Sequence, residues 1–320
     1  MRVLKVSGLL ITMDGFLIID KPEGFTSHDV VAKVRKILGI KRVGHTGTLD
    51  PFATGVLVIM VGRATRLAQF LDKDRKSYQA LMRLGFSTDT GDKTGTRKEE
   101  VKKVEVSPED LKEVMGRFIG ESNQTPPMYS AKKIEGKKLY ELARQGVEIE
   151  RKPVRVKISQ LKPVSHENGE IFSYNEEGTT DVLFVVTCSA GTYIRVLAED
   201  IAKDLGTSAH LVELRRTSAG AFDLAQAITL DHLAEMKEKG GLGRVLLPLE
   251  TAVPNMHEII LSPEDTGQIL HGKQIVVLER FKEGQQVKLL DARRRMIAIA
   301  AYEAATKKLQ PQIVFVNAGE

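Results

Sequence analysis

Residues 44–55, Gly-His-Thr-Gly-Thr-Leu-Asp-Pro-Phe-Ala-Thr-Gly, constrain the fold more than any other stretch of this 320-residue chain. Three glycines in twelve positions let the backbone turn where side chains would clash. Proline disfavours the helical region for its predecessor, so Pro51 holds Asp50, the single carboxylate of the stretch, in extended geometry. Upstream, Val30, Val31, Val34, Ile37 and Leu38 recur at helical spacing, with Ser27 as the expected cap and Gly39 as the stop. Downstream, residues 56–61 form a continuous apolar run, expected to be a buried strand. The stretch is therefore a loop between an amphipathic helix and a strand. Clusters of Gly, Asp and Pro are mostly tight turns, so the pattern alone favours a capping Asp over a catalytic one.

The rest of the chain reads as α+β. Residues 16–20 are a short apolar strand, followed by a turn at Lys21-Pro22-Glu23-Gly24. Residues 76–86 have a strand-like pattern, whereas 87–98, rich in Thr, Asp and Gly, read as an exposed loop. Ser107-Pro108-Glu109-Asp110 is a helix start, and Leu111, Val114, Met115, Phe118 and Ile119 are its expected core face. Strands are expected at 154–161 and 182–190, and residues 191–195, Gly-Thr-Tyr-Ile-Arg, lead into a helix ended by Gly206. Arg195 then faces the positive end of its own helix dipole, which calls for a carboxylate partner. A strand-like run at 208–216 and a helix near 229–238 follow. Beyond Thr251, short strands at 274–278, 286–291, 296–302 and 313–316 have the look of a small barrel or sandwich. The architecture expected is a mixed, mainly antiparallel sheet with the 44–55 loop in a basic cleft, plus a small C-terminal β-domain.

Charge and cysteine usage narrow the setting. The net charge of +5 suits a polyanionic partner without identifying one. Lys132, Lys133, Lys137 and Lys138 cluster within 123–146, either as a solvated basic face or as a grip on phosphates. The one cysteine, Cys188, lies in an apolar run, which excludes a disulfide framework and points to a reducing compartment. No apolar run reaches the length of a membrane span, and a cytoplasmic protein is expected. Met13 restarts the chain before the first good strand, so residues 1–12 read as a short extension. The seven histidines are scattered and no dinucleotide or phosphate-loop fingerprint occurs, so neither a metal nor a cofactor is expected.

Residues 44–59 closely resemble the signature of the TruB family of pseudouridine synthases. Lys21-Pro22, the strand bearing Tyr78, the segment 123–146 and residues 191–195 resemble further motifs of that family, in the expected order between about residues 15 and 248. Thr48 departs from the pattern, which usually has a smaller residue there. The resemblance implies a pseudouridine synthase domain at 13–252 with an RNA-contacting insertion at 123–146. It implies, more weakly, a PUA-like RNA-binding domain at 253–320, on position and strand count. The implied reaction is conversion of uridine 55 in the T-loop of tRNA to pseudouridine, with the target base flipped out. Asp50 would be the nucleophile, Arg195 its partner, and Tyr78 a stacking residue with a part in removing the C5 proton. His45 would lie against the RNA where the target nucleotide has left its stack. Tyr193 and Leu214 would belong with the base, Lys21 would support the loop at the substrate-binding site, and the four lysines would hold phosphates. The expected partner is the T-stem-loop of tRNA, engaged by a monomer with no obligatory protein partner. The rival expectations are the catalytic subunit of an RNA-guided complex and an RNA-folding chaperone.

Overall fold

The computed structural model describes residues 13–71, 75–98, 104–130, 133–134, 137–143, 145–147, 149–175 and 178–315, with strand backbone at 4–6 and 9–11. Lys132 lies outside the described residues, and so do the side chains of Lys133, Lys137 and Lys138. Among the described residues, the main sheet runs in the order Gly15–Lys21, Thr54–Val61, Ala209–Ala219, Lys76–Leu84, Thr180–Cys188, Val154–Val164, Gly120–Gln124. Its neighbours pair antiparallel except at one seam, where Thr54–Val61 runs parallel to Ala209–Ala219. The sheet is therefore mixed and mainly antiparallel, as the sequence implied.

The apolar run at 56–61 is explained by cover on both faces. Successive strand residues point to opposite faces. Leu57, Ile59 and Val61 pack with Leu17 and Ile19 against the helices Ser27–Leu38, Ile194–Asp204 and Leu230–Glu238. Val56, Val58 and Met60 face the other way, with Phe16 and Ile18, into a second core completed by Leu290, Met296, Ile299 and Ile313 of the C-terminal sheet and by Phe315 just after its last strand. Arg63 donates to the Phe315 carbonyl, and Arg66 Nη1 donates to the Val314 carbonyl at 2.6 Å. Those bonds tie the last strand to the turn that follows Thr54–Val61.

Several local expectations are corrected. Thr26, not Ser27, caps the first helix, in a reciprocal box with Asp29. Ser27 is instead buried and exchanges two hydrogen bonds with Leu49, at 2.9 and 3.2 Å. Residues 44–46, read as part of the loop, instead belong to a short strand, Val43–Thr46, beside Thr54–Val61. The 87–98 segment is not wholly exposed: Thr88 and Asp92 are buried, because the segment folds inward against Leu211. Ile119 is 49 % exposed, since the helix ends at Arg117 before that position can turn inward. The C-terminal region holds a five-stranded sheet that includes Glu258–Ile260, and a helix, Pro263–Leu270, capped by Ser262. Both short elements escaped the periodicity reading. Among the described residues no helix is long and apolar enough to cross a membrane.

The parallel seam has one position that admits only glycine. Gly55 has φ +98°, and a Cβ there would lie 2.2 Å from the Arg216 carbonyl oxygen. Gly55→Ala combines left-handed strain with a backbone clash, and should cost more than about 2 kcal/mol. The check is the denaturant midpoint, and a midpoint equal to that of the parent chain would contradict this account of the seam.

Candidate active site

The loop carrying Asp50 is held by bonds to its backbone. Lys21 is wholly buried, and its ammonium donates to the carbonyls of Pro22 (3.0 Å), Phe25 (2.6 Å) and Pro51 (3.1 Å). The Pro51 carbonyl also accepts from Gly24 N at 2.9 Å, and Ser27 clamps Leu49 on the other side of Asp50. Burial lowers the Lys21 pKa to about 8, against the pull of Asp50 and Glu23. With its three donors used on carbonyls, Lys21 braces the loop and does not face the cleft. That corrects its expected place among the substrate-binding residues, though not its role as loop support.

Behind Asp50 stands Arg195, at the start of the Ile194–Asp204 helix. Its Nε donates to Asp50 Oδ2 at 2.9 Å, Nη2 donates to the Tyr129 carbonyl at 2.6 Å, and Nη1 donates to the Thr90 carbonyl. A second carboxylate, Asp92 Oδ2, lies 3.8 Å from Nε. Two carboxylates and two carbonyls thus offset the unfavourable placement of a cation at a helix N-terminus. Gln124 sets the approach to that helix: its amide accepts from Tyr193 N at 2.8 Å and donates to Tyr193 O at 3.1 Å. The pair is asymmetric, with the Arg195 side chain 4 % exposed and that of Asp50 34 % exposed. The guanidinium is sealed in while the carboxylate opens to the cleft. Burial pushes the Asp50 carboxyl above the ordinary carboxylate range, Arg195 pulls it back, and Asp92 adds to the upward push.

The cleft has a volume of about 270 Å³ and is lined by Asp50, Tyr78, Tyr193, Arg195, Leu214 and Arg216, with Lys76 and Ser130 also at its wall. Tyr78 is 7 % exposed, and burial raises the pKa of its hydroxyl, as it does that of Tyr193. The structure thus brings together five sequence-derived candidates: Asp50, Arg195, Tyr78, Tyr193 and Leu214. His45 lies outside this lining, on the strand Val43–Thr46, with its ring edge-on to His28 at 5.2 Å. Its Nδ1 is buried without a partner among the described residues.

Sequence reasoning missed Asp92, Gln124 and Arg216. Asp92 sits in a segment whose composition signals solvent. Gln124 acts through a backbone 69 residues away. Arg216 was visible only as one of two basic residues closing a strand, and nothing in that pattern signals complete burial.

His45 offers a test of the local electrostatics. Burial lowers its pKa from 6.5 to about 4, with the nearby His28 and Arg216 acting in the same direction. The unfolded chain therefore binds more protons than the folded one between these values. The neutral ring's contribution to stability is complete above pH 6.5 and is lost as pH falls towards 4. The His45 imidazole resonances should keep their neutral shifts between roughly pH 8 and pH 5, where an ordinary histidine titrates. A midpoint near 6.5 would contradict the burial seen here.

Comparison with known proteins places this geometry in a family. Residues 35–194 match the TruB family pseudouridylate synthase N-terminal domain, and 195–254 match the tRNA pseudouridylate synthase B C-terminal domain. The chain is 42 % identical over 280 residues to the tRNA pseudouridine synthase B of Geotalea uraniireducens (strain Rf4), covering 87 % of this chain and 86 % of that one. It is 41 % identical over 273 residues to the tRNA pseudouridine synthase B of Bacillus subtilis (strain 168), covering 85 % and 86 %. Among solved structures, a chain from an H/ACA RNP bound to a substrate RNA containing 2'-deoxyuridine superimposes with a TM-score of 0.71 at 27 % identity, covering 95 % of this chain and 86 % of that one. Likeness of this extent takes in both the loop that presents Asp50 and the helix that presents Arg195, and the chain belongs to the TruB family of pseudouridylate synthases.

Proposed function

We propose that this enzyme converts uridine 55 in the T-loop of tRNA to pseudouridine, with Asp50 as nucleophile and the target nucleotide flipped into the cleft. The observation that carries the reading is the Asp50–Arg195 pair, whose carboxylate alone opens to the cleft. The relatives named tRNA pseudouridine synthase B supply the substrate. The reaction breaks the bond from ribose C1' to N1 and forms one from C1' to C5, while C5 loses a proton and N1 gains one. Product and substrate are isomers, so positioned protein groups are sufficient and no cofactor is invoked.

Attack requires an ionised carboxylate. Burial opposes ionisation, and Arg195 offsets that cost with a charge-assisted bond that also fixes the direction of Oδ2. The free face of Asp50 then points at the bound nucleotide. A cleft of about 270 Å³ suits a single nucleoside, not a duplex, which fits extrusion of the target. Tyr78 stacks on the base, with Leu214 and Tyr193 packing beside it. His45, neutral and outside the cleft, lies against the vacated stack, where an uncharged ring offsets part of the lost stacking, a few kcal/mol in general.

We further assign residues 13–252 to catalysis, 123–146 to an RNA-contacting insertion and 253–320 to a PUA-like RNA-binding domain. In this reading the enzyme works in the cytoplasm as a monomer on free tRNA. The likeness to a chain of an H/ACA RNP supports a second reading, that of a catalytic subunit in an RNA-guided complex. Robust activity of the purified chain on a bare tRNA transcript would exclude that alternative.

Two outcomes test the proposal. Asp50→Asn should abolish turnover while leaving tRNA affinity within about tenfold, roughly 1.4 kcal/mol. Nucleotide-resolution mapping of treated tRNA should show modification at position 55 only with the parent chain. Multiple turnover in Asp50→Asn, free of deamidation, would sink the nucleophile assignment. The second outcome concerns Lys132, Lys133, Lys137 and Lys138. Changing them to Gln should weaken tRNA binding and reduce the log–log salt slope by about 0.7 to 0.9 per lost phosphate contact. An unchanged slope would remove the insertion from the RNA interface.

A further inference from the structure

Arg216 heads the largest fully buried side chains of the protein, at 0 % exposure. Among the described residues no carboxylate pairs with it. Its Nε donates to the Val56 carbonyl at 2.7 Å and its Nη2 to the Gly47 carbonyl at 3.0 Å. Among the described residues the third nitrogen, Nη1, has no partner of acceptable geometry, although it belongs to a residue lining the cleft. A buried cationic donor left open is costly and calls for an explanation.

The surroundings show where that donor is directed. Arg216 lies directly opposite Tyr78 across the antiparallel pairing of Ala209–Ala219 with Lys76–Leu84, so the two side chains share a face. A bulge follows Arg216 in that pairing, and Gly55 flanks it on the parallel side. A Cβ on Gly47 would lie 2.9 Å from Lys76 Cε and 3.4 Å from Arg216 Nη1, so glycine here makes room for both cationic side chains.

We propose that Arg216 is a positioning residue for Tyr78, aiming its phenolic oxygen into the cleft and supplying the counter-charge that lets this oxygen accept the C5 proton. The inference rests on the pseudouridine reading above. The phenol first releases its proton to solvent through the cleft mouth. The C5–H bond then breaks, its proton re-forms the Tyr78 hydroxyl, and its electron pair stays in the ring as the restored double bond. Burial opposes ionisation of Tyr78, the Asp50 carboxylate acts in the same direction, and Arg216 is the largest influence favouring it. The remaining charged groups at the cleft wall are Lys76, on the strand of Tyr78 itself, and Arg195. Cys188 is held neutral, its thiol pushed up to about 11 by burial.

The test is the pH profile of single-turnover pseudouridine formation by the full chain on a tRNA transcript. Arg216→Gln should move the limb reporting Tyr78 ionisation to higher pH by roughly one to three units. It should also lower the rate near neutrality by about tenfold or more. Arg216→Lys, which keeps the charge and loses the fork, should fall between the two. In a Tyr78→Phe background, Arg216→Gln should cost no further rate. A profile superimposable on the parent's, or an equal loss in the Tyr78→Phe background, would overturn the assignment. If Arg216→Gln does not fold, nuclear magnetic resonance of the unaltered chain decides. The Tyr78 Cζ and Arg216 guanidinium resonances should then titrate with one shared midpoint, and an Arg216 signal indifferent to Tyr78 ionisation overturns the proposal. Failure of the parent chain to form pseudouridine would instead overturn the proposed function, and this inference with it.

Discussion

The bond between Arg195 and Asp50 joins residues 145 positions apart, and the rest of the site is arranged to make it possible. A carboxylate and a guanidinium removed from water lose hydration that only a well-made pair restores. Each partner is therefore held before they meet. Asp50 is fixed by bonds to the backbone on both sides of it, from Ser27 to Leu49 and from Lys21 to Pro51. Arg195 is fixed by the Thr90 and Tyr129 carbonyls, and the turn before its helix by Gln124. None of these supports touches the free face of the carboxylate.

Electrostatic balance in the cleft follows from that arrangement. Lys21, Arg195 and Arg216 surround one partly open carboxylate, Asp50, and a buried one, Asp92. Lys21 is spent on carbonyls and Arg195 on carboxylates and carbonyls, whereas Arg216, opposite Tyr78, keeps one donor without a partner among the described residues. Such a site favours negative charge at particular atoms and discourages it elsewhere. Its groups are in place before substrate binds, so little reorganisation is needed during the reaction.

The C-terminal sheet also contributes to the site, at a distance. By covering Val56, Val58 and Met60 it completes the burial of the strand that begins just after Asp50. The two faces of this strand pack against different partners, so a slip of one residue would put each side chain into a space shaped for another. The position of Gly55 beside Arg216, and with it the exit of the loop, is set by the register that results.

Local signals were enough for much of this. Glycine spacing, the Asp-Pro dipeptide, the helical recurrence of Val30, Val31, Val34 and Leu38, and the apolar run at 56–61 are short-range features, and each marks an element or turn found in the structure. Similarity to family motifs carried Asp50, Arg195, Tyr78, Tyr193 and Leu214, which share one cleft. What sequence could not reveal were the partners that depend on distant chain segments meeting: Asp92 turning inward from a polar loop, Gln124 clamping Tyr193, Ser27 leaving its cap to hold Leu49, and Arg216 buried with one donor open. Composition near each of these positions favours solvent or a cap. Only packing decides otherwise, because the desolvation of a polar side chain and the atoms that compensate for it come from different parts of the chain.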